Sequence, residues 1–480
     1  MDKTIAARPP RATENKARSM PHIYVILMAC VVLATLATHL VPAGSYDRIP
    51  GPGGRSIVDP ATYHEVAPNP AGLTQLIMAV PHGLASVADI IFFVLMVGGL
   101  FAVLRRAGVV ELAVDRLARR FARHPGWLVP LLMIVFSGVA SAIGTPELSM
   151  VYVPVILPLL IALGHDSLTA AAVALCSTCA GFAAGILNPF TTAVAQKVAD
   201  LPLYSGWSMR LAVFASLSAA SIAYVARYAN RVRRDRSNSL LCDEESETAK
   251  WSKYQEATLH ATASAMTGRQ RLAATGVITS FGVLLYGVTQ AGWYLRELSG
   301  LFLVTGVLVG MAAGLGGNAI SDAFTEGFRD VLVGAMVVGL ARGVGVVLES
   351  ANVLDTIVHH LAIVVGQLPS WLTAIGMLAS QLAINFAIPS GSAQALLTMP
   401  VMAPLGDIVG VTRQTAVLAF QLGDGLSNIV YPTAGYFMAT LGIAGVSWLR
   451  WIRFFLPLFA IWIGISMAFL VYAQAVQWTG

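Results

Sequence analysis

Glu147, Arg342 and Asp424 each place a charge inside an otherwise apolar stretch of the chain. A charge near the middle of a bilayer costs several kcal/mol, so such residues usually bind a ligand, relay a proton or pair with one another. Two of the three adjoin patches that interrupt a helix: Glu147 closes Gly144-Thr-Pro-Glu147, and Asp424 precedes Asn428-Ile-Val-Tyr-Pro-Thr433. Two further patches have the same character, Leu187-Asn-Pro-Phe-Thr-Thr192 and Asn385-Phe-Ala-Ile-Pro-Ser-Gly-Ser392. A break at membrane depth frees N–H groups on one half-helix and carbonyls on the other. The positive N-terminal ends suit a substrate carboxylate, and the freed carbonyls with side-chain oxygens suit Na⁺.

The expected substrate-binding residues are therefore Ser141, Thr145, Asn188, Thr191 and Thr192 from the first half of the chain, and Asn385, Ser390, Ser392, Asn428 and Thr433 from the second. The expected coupling-ion residues are Glu147, Asp424 and Ser427, with Na⁺ near Asp424 as the candidate metal. Gly423 and Gly425 flank Asp424, and glycines beside an acid lower helix stability and let carbonyls turn toward a ligand. A desolvated carboxylate among such oxygens favours a small cation or takes up a proton. The plainer reading is that these hydroxyls and amides only satisfy backbone groups freed by the breaks. On that reading Asp424 pairs with Arg342 or caps a half-helix. Sequence leaves both open.

Other chemistries find less support. Cys176-Ser-Thr-Cys179 has CxxC spacing, but it lies in a small-residue helix where cysteine is a packing residue. The four cysteines form no disulfide framework, the histidines show no metal-ligand spacing, and His359-His360 reads as a solvated pair at an interface. No Gly-rich phosphate loop precedes a Lys-Ser/Thr pair, which argues against a primary pump.

The elements that position these residues follow from composition. Of the 480 residues 56% are apolar and 11% charged, against about 25% charged in a soluble domain. This is an all-α polytopic membrane protein. The first apolar run, Tyr24 to Val41, ends in Pro42-Ala-Gly without a cleavage signature and reads as a retained helix. Spanning helices are expected near 22–42, 86–104, 168–198, 208–228, 271–292, 299–317, 331–348, 413–442 and 451–473. The organisation is a basic tail (1–20), a first span with an external loop (21–85), a first repeat (86–228) with a re-entrant hairpin at 126–163, and a loop (229–270). Connecting spans (271–330) lead to a second repeat (331–473) with a hairpin at 370–408 and a short C-terminus (474–480).

Most of the 30 Lys and Arg residues fall in the tail, in 105–123, in 227–271 and at Arg329, Arg450 and Arg453. Cytoplasmic loops are enriched in these residues, which puts the N-terminus and the 229–270 loop in the cytoplasm and the C-terminus outside. That loop reads as a solvated connector. The charge lies at the bilayer edge, so lipid is its partner and nucleic acid is not.

Pro154, Pro158, Gly164 and Thr169 recur as Pro400, Pro404, Gly410 and Thr415, each offset by 246. Before them come amphipathic stretches, Val110, Val114, Leu117 and Phe121 in the first half and Leu354, Ile357 and Leu361 in the second. An odd number of crossings separates the two, so the repeats enter from opposite faces. Two inverted repeats, each with a re-entrant hairpin and a broken helix, point to a secondary transporter with its site at the breaks. A channel or an intramembrane enzyme are the competing classes. Neither accounts as well for paired inverted hairpins, and no nucleophile–base set is present.

Tyr24-Val-Ile-Leu, Val41-Pro-Ala-Gly-Ser-Tyr-Asp47, Gly144-Thr-Pro-Glu147, Gly339-Leu-Ala-Arg-Gly343, Pro389-Ser-Gly-Ser392, Thr398-Met-Pro-Val-Met-Ala-Pro404 and Phe420-Gln-Leu-Gly-Asp-Gly-Leu-Ser-Asn428 resemble the YfcC family. That family is a branch of the C4-dicarboxylate anaerobic carrier-like group of the ion-transporter superfamily. The resemblance implies a bacterial inner-membrane carrier with a scaffold domain and a transport domain that moves as an elevator; the polar breaks and buried acids add Na⁺ or H⁺ as the expected coupling ion, and no cofactor is expected. It implies a small carboxyl-bearing substrate: an organic acid, a C4-dicarboxylate or an amino acid. Arginine–ornithine antiport is the alternative, and a homodimer is the expected assembly. Better-understood superfamily members carry Ser-Asn-Thr at both hairpin tips, where this chain has Gly-Thr-Pro-Glu and Pro-Ser-Gly-Ser.

Overall fold

The computed structural model describes residues 23–50, 56–110, 116, 125–260 and 267–480. The chain opens with α1 (Ile23–Ala37) and a cap of two antiparallel strand pairs, β1 (Gly44–Ser45) with β4 (His64–Glu65) and β2 (Arg48–Pro50) with β3 (Ser56–Val58). Helices α2 (Leu73–Ser86) and α3 (Ala88–Arg106) follow. A first group comprises α4 (Leu128–Ile143), α5 (Leu148–Ala162), α6 (Ser167–Ala184), α7 (Thr192–Val198) and α8 (Trp207–Arg234). Connecting elements are α9 (Glu245–His260), α10 (Gly268–Gln290), α11 (Leu295–Ala313), α12 (Gly317–Ser350) and α13 (Leu354–Gly366). A second group comprises α14 (Ser370–Ala387), α15 (Gly391–Val409), α16 (Arg413–Ser427), α17 (Gly435–Ala444) and α18 (Trp448–Ala475). Among the described residues, α3, α6, α8, α11, α12 and α18 are long and apolar enough to cross a membrane.

Small residues decide which helices lie at the centre. Every residue of α6 is buried, and so is every residue of α16 after Arg413. Alanine, serine, threonine and glycine on all faces let neighbouring backbones approach closely, which is how helices gain contact where lipid supplies no hydrophobic drive. Asp166 and Thr412, again 246 apart, begin the two helices by accepting from Thr169 N (2.8 Å) and Thr415 N (3.2 Å). Such caps stabilise a helix by roughly 1 kcal/mol.

The second group repeats the packing of the first. Helix α4 packs on α6 and α8 as α14 packs on α16 and α18, and α5 meets α17 as α15 meets α7. Where α6 crosses α16, Cys179 Sγ donates to the Gly425 carbonyl at 2.9 Å, and these residues too are 246 apart. The CxxC cysteines are buried packing residues, as their surroundings predicted.

Several expectations change. The 168–198 and 413–442 spans are each two helices, divided at the motifs that suggested a break. The 331–348 span is the C-terminal half of the 34-residue α12. The 43–85 stretch is not all loop, because Pro81 hides α2, which packs along α12 with Gly83 against the Gly339 carbonyl. The 229–270 segment is more than a solvated connector. Buried Asp166 accepts from Tyr228 and Ser239 (both 2.6 Å), Ser167 N donates to Glu247, Lys250 donates to the Ala444 carbonyl, and Arg450 pairs with Asp243. The polar residues that made it read as solvated are the ones that tie it to the ends of the two groups. His359 is stacked on Tyr63 (3.7 Å) and bonded to Tyr46 OH, not simply solvated. The basic tail and the amphipathic residues Val114, Leu117 and Phe121 lie outside the described residues.

Gly425 tests the central crossing. A Cβ there would lie 2.5 Å from Ala183 Cα, whereas one at Gly282 would meet nothing within 4 Å. Gly425→Ala is expected to separate α6 from α16, costing ~1–3 kcal/mol, and to lower the melting temperature in detergent. Gly282→Ala should leave it unchanged or raise it. Equal melting for both variants would mean that the crossing is loosely packed.

Candidate functional site

Each break is built from its own residues. Helix α4 ends at Gly144 in the left-handed region (φ 71°), and the tip turns through Thr145 and Pro146 into α5. A Cβ on Gly144 would come within 2.3 Å of Asn188 Oδ1, so the first tip needs glycine both for its backbone and for this approach. Asn188 is fully buried, and its Oδ1 accepts from Phe190 N (3.0 Å) and Thr191 N (3.1 Å), which shapes the second break. Thr192 Oγ1 donates to the Gly185 carbonyl at 2.9 Å and lies 3.0 Å from Gln421 Oε1 across the molecule. Ser141 Oγ donates to the Gly138 carbonyl, and its own carbonyl accepts from Leu187 N.

In the second group, Asn385 Nδ2 reaches the Asp424 carbonyl (3.1 Å), Ser427 Oγ (2.7 Å) and Asn428 Oδ1 (2.9 Å). Ser427 Oγ in turn donates to the Gly423 carbonyl. The carbonyls of Gly423, Asp424 and Gly425 are thus engaged by Ser427, Asn385 and Cys179, and α16 runs unbroken through all three. This corrects the reading of the paired glycines. They allow close packing, since a Cβ on Gly423 would lie 2.4 Å from Gln381 Cβ.

A cavity of about 320 Å³ lies between the breaks. Of the expected residues Glu147, Thr191, Ser390, Ser392, Asn428 and Thr433 line it. Asp424 stands directly behind its wall: it is fully buried, and a Cβ on the lining residue Gly391 would lie 2.6 Å from Asp424 Oδ2. Ser141, Thr145, Asn188, Thr192, Asn385 and Ser427 sit in the supporting layer. Among the described residues, several buried side-chain atoms without a hydrogen-bond partner lie here: Thr145 Oγ1, Glu147 Oε2, Asn188 Nδ2, Thr191 Oγ1, Asn385 Oδ1, Thr433 Oγ1, Tyr436 OH and both Asp424 oxygens; others, such as the Arg210 nitrogens, lie elsewhere. An unsatisfied buried polar atom costs about 1–3 kcal/mol. Those at the cavity are atoms that a polar ligand or water there would satisfy.

Arg342 lines the cavity and pairs with Glu349 at 2.7 and 3.0 Å, so the Arg342–Asp424 pair weighed from sequence does not form. Asp424 is not a cap either, lying inside α16. Sequence reasoning missed Glu349, although a spacing of seven puts it on the Arg342 face of a helix. It also missed Tyr294, which donates to Glu147 at 3.4 Å from a connection with no motif of its own, and Tyr436. No cluster of three His, Cys, Asp or Glu side chains suited to a metal occurs among the described residues.

The sequence pattern of the C4-dicarboxylate anaerobic carriers matches residues 20–475. A protein of Escherichia coli (strain K12) named "Putative basic amino acid antiporter YfcC" is 32% identical over 490 residues, covering 92% of this chain and 94% of that one. An uncharacterized protein of Haemophilus influenzae is 24% identical over 486 residues, covering 93% and 95% respectively. The solved structure of Neisseria gonorrhoeae MtrF, from work on a class of antimetabolite efflux pumps, aligns over 95% of each chain at 16% identity and a TM-score of 0.42.

Asp424→Asn keeps the shape of the side chain and removes a buried acid that forms no ion pair among the described residues. Its melting temperature in detergent is expected to equal or exceed that of the parent, while accumulation of substrate in proteoliposomes collapses. A lower melting temperature with normal accumulation would make Asp424 a structural acid.

Proposed function

The chain belongs to the YfcC branch of the C4-dicarboxylate anaerobic carrier family of multi-pass membrane transporters, and from that premise we propose that it is an ion-coupled secondary transporter of amino acids, foremost those with a cationic side chain. The observation that carries this reading is the balance of charge at the cavity. Glu147 and Glu349 line it and Asp424 stands behind it, while Arg342 is the one cationic side chain among the described residues of the lining and already engages Glu349. A dicarboxylate would bring two more negative charges to a low-dielectric site with acids in excess, where like charges repel strongly. An amino acid brings ammonium groups for Glu147 and Asp424. Its carboxylate has the start of α15, where no side chain caps the helix and the first N–H groups have no intrahelical acceptor. The family description names dicarboxylates and the Escherichia coli relative is named for basic amino acids; the residues favour the second.

The same reading takes the two helix groups as inverted repeats that move against α2, α3 and α12 as an elevator, in a bacterial inner membrane with the N-terminus cytoplasmic. The repeated packing and the placement of basic residues support it. For coupling, the Asp424 oxygens and Asn385 Oδ1 suit a small cation such as Na⁺ or, at the carboxylate, a proton.

Arginine, lysine and ornithine are expected to raise the melting temperature of the purified chain, and succinate and fumarate to leave it unchanged. A ligand at a hundred times its Kd stabilises by about 2.7 kcal/mol. Repeating the panel with and without Na⁺ reads the coupling ion. Stabilisation by dicarboxylates alone would overturn the proposal. Inverted repeats are tested by Thr145→Cys and Ser392→Cys in a background without the native cysteines. An impermeant thiol reagent should reach them from opposite sides of the membrane, and labelling of both from one side in every ligand state would sink that reading.

A further inference from the structure

A second cavity of about 420 Å³ lies beneath the β cap and shares Glu349, Ile388 and Ala393 with the central one. The cap is held firmly over it. Arg48 reaches both oxygens of Asp355 at 2.9 Å, and Tyr46 N donates to the same carboxylate at 3.0 Å. Asn352, in the left-handed region at φ 55°, gives its carbonyl to Gly44 N. Arg48 uses only Nη2 for Asp355, which leaves its other N–H groups for a carboxylate. Charged groups of both signs line the two cavities: Arg48, Asp355 and Glu349 the one beneath the cap, and Glu349, Arg342 and Glu147 the central one.

The Arg342–Glu349 pair stands between the two cavities. Seven residues of helix rise about 10.5 Å, so the two side chains must lie along the surface of α12 to meet at 2.7 Å. Gly345 makes room for this, since a Cβ there would come within 2.4 Å of Arg342 Nη1. An ion pair lying flat over a glycine, with one member facing both cavities, is a partition that charged groups can exchange with. A dipolar molecule could leave Arg48 and Asp355 for Glu349 and Arg342 without losing charged partners.

We propose that the cavity beneath the cap is a second subsite for the same dipolar amino acid, and that the Arg342–Glu349 pair is the partition it opens to reach the central cavity. The ligand rests on the amino-acid reading above; the partition does not.

The test has two arms on the full chain in proteoliposomes. In a background without native cysteines, Ser392→Cys reports access to the central cavity from the cap side through an impermeant maleimide. Adding Glu349→Gln or Gly345→Ala should speed labelling about tenfold, equivalent to ~1.4 kcal/mol of closure. Exchanging the charges with Arg342→Glu and Glu349→Arg should return it to the slow rate. Unchanged labelling in both opening variants would overturn the partition. In the second arm, radiolabelled arginine should bind at two per chain. Arg48→Gln should lower this to one with the remaining affinity intact, and Arg48→Lys should retain both. One arginine per chain in the parent, with uptake unaffected by Arg48→Gln, would overturn the subsite. No arginine bound to the parent would overturn the ligand and the amino-acid reading together, while labelling still decides the partition.

Discussion

Lipid offers a peptide group no hydrogen-bond partner, so a helix that stops at membrane depth must find partners within the protein. On the transport reading the four breaks are such stops, and much of the structure follows from them. Asn188 accepts from the two N–H groups that follow it, Thr192 returns to the Gly185 carbonyl, and Asn385 holds the carbonyl of Asp424. These contacts work only where water and lipid are shut out, which forces α6 and α16 into the centre. A helix buried on every side must be slim, hence the alanines, serines and glycines around Cys179 and Gly425. The need to shield the breaks thus sets the composition of helices that carry few of the lining residues themselves.

The same constraint locates the chemistry. Backbone groups at the breaks are largely satisfied by side chains one layer behind the cavity, such as Ser141, Asn188 and Ser427. Most of the atoms left over around the cavity belong to residues at it or against its wall, such as Glu147, Thr191, Asp424 and Thr433, while those of Thr145, Asn188 and Asn385 lie one layer behind. A supporting layer that holds the backbone of the breaks, behind a lining with polar atoms to spare, is the pattern of a preorganised site. Charge then selects among ligands that could fill it, because polar breaks alone would serve an organic acid and an amino acid equally.

The sequence made the breaks, the hairpins and the 246-residue repeat legible, since Pro, Gly, Asn and Thr interrupt apolar runs for local reasons that need no tertiary context. It concealed what depends on partners brought from elsewhere. Pro81 within an apolar run reads as a stop, yet packing against α12 carries α2 through it. The polar segment after α8 reads as solvated because nothing local shows that Asp166 and Ser167 wait for it. Gly423 and Gly425 read as loosening a helix, and only the nearness of Gln381 and Ala183 reveals them as contact residues. Tyr294 carried no signal. Its role exists only because the connection before α11 passes over Glu147.

Repetition of the fold does not extend to the charges, and that difference bears on how the site works. At an offset of 246, Glu147 corresponds to Ala393, Asp424 to Thr178, Asn385 to Val139 and Asn428 to Phe182. Thr178 turns its hydroxyl back to the Ala174 carbonyl of its own helix and takes no part in the cavity. Repeated breaks therefore supply two sets of helix ends, while a single set of acids, one from each group, converges on one cavity. Two unpaired carboxyls so placed oppose each other until something positive lies between them. On the transport reading, this gives a physical reason for coupling: the first cation to enter, whether an ion, a proton or a substrate ammonium, lowers the cost of holding the remaining acid charged and so prepares the cavity for the second.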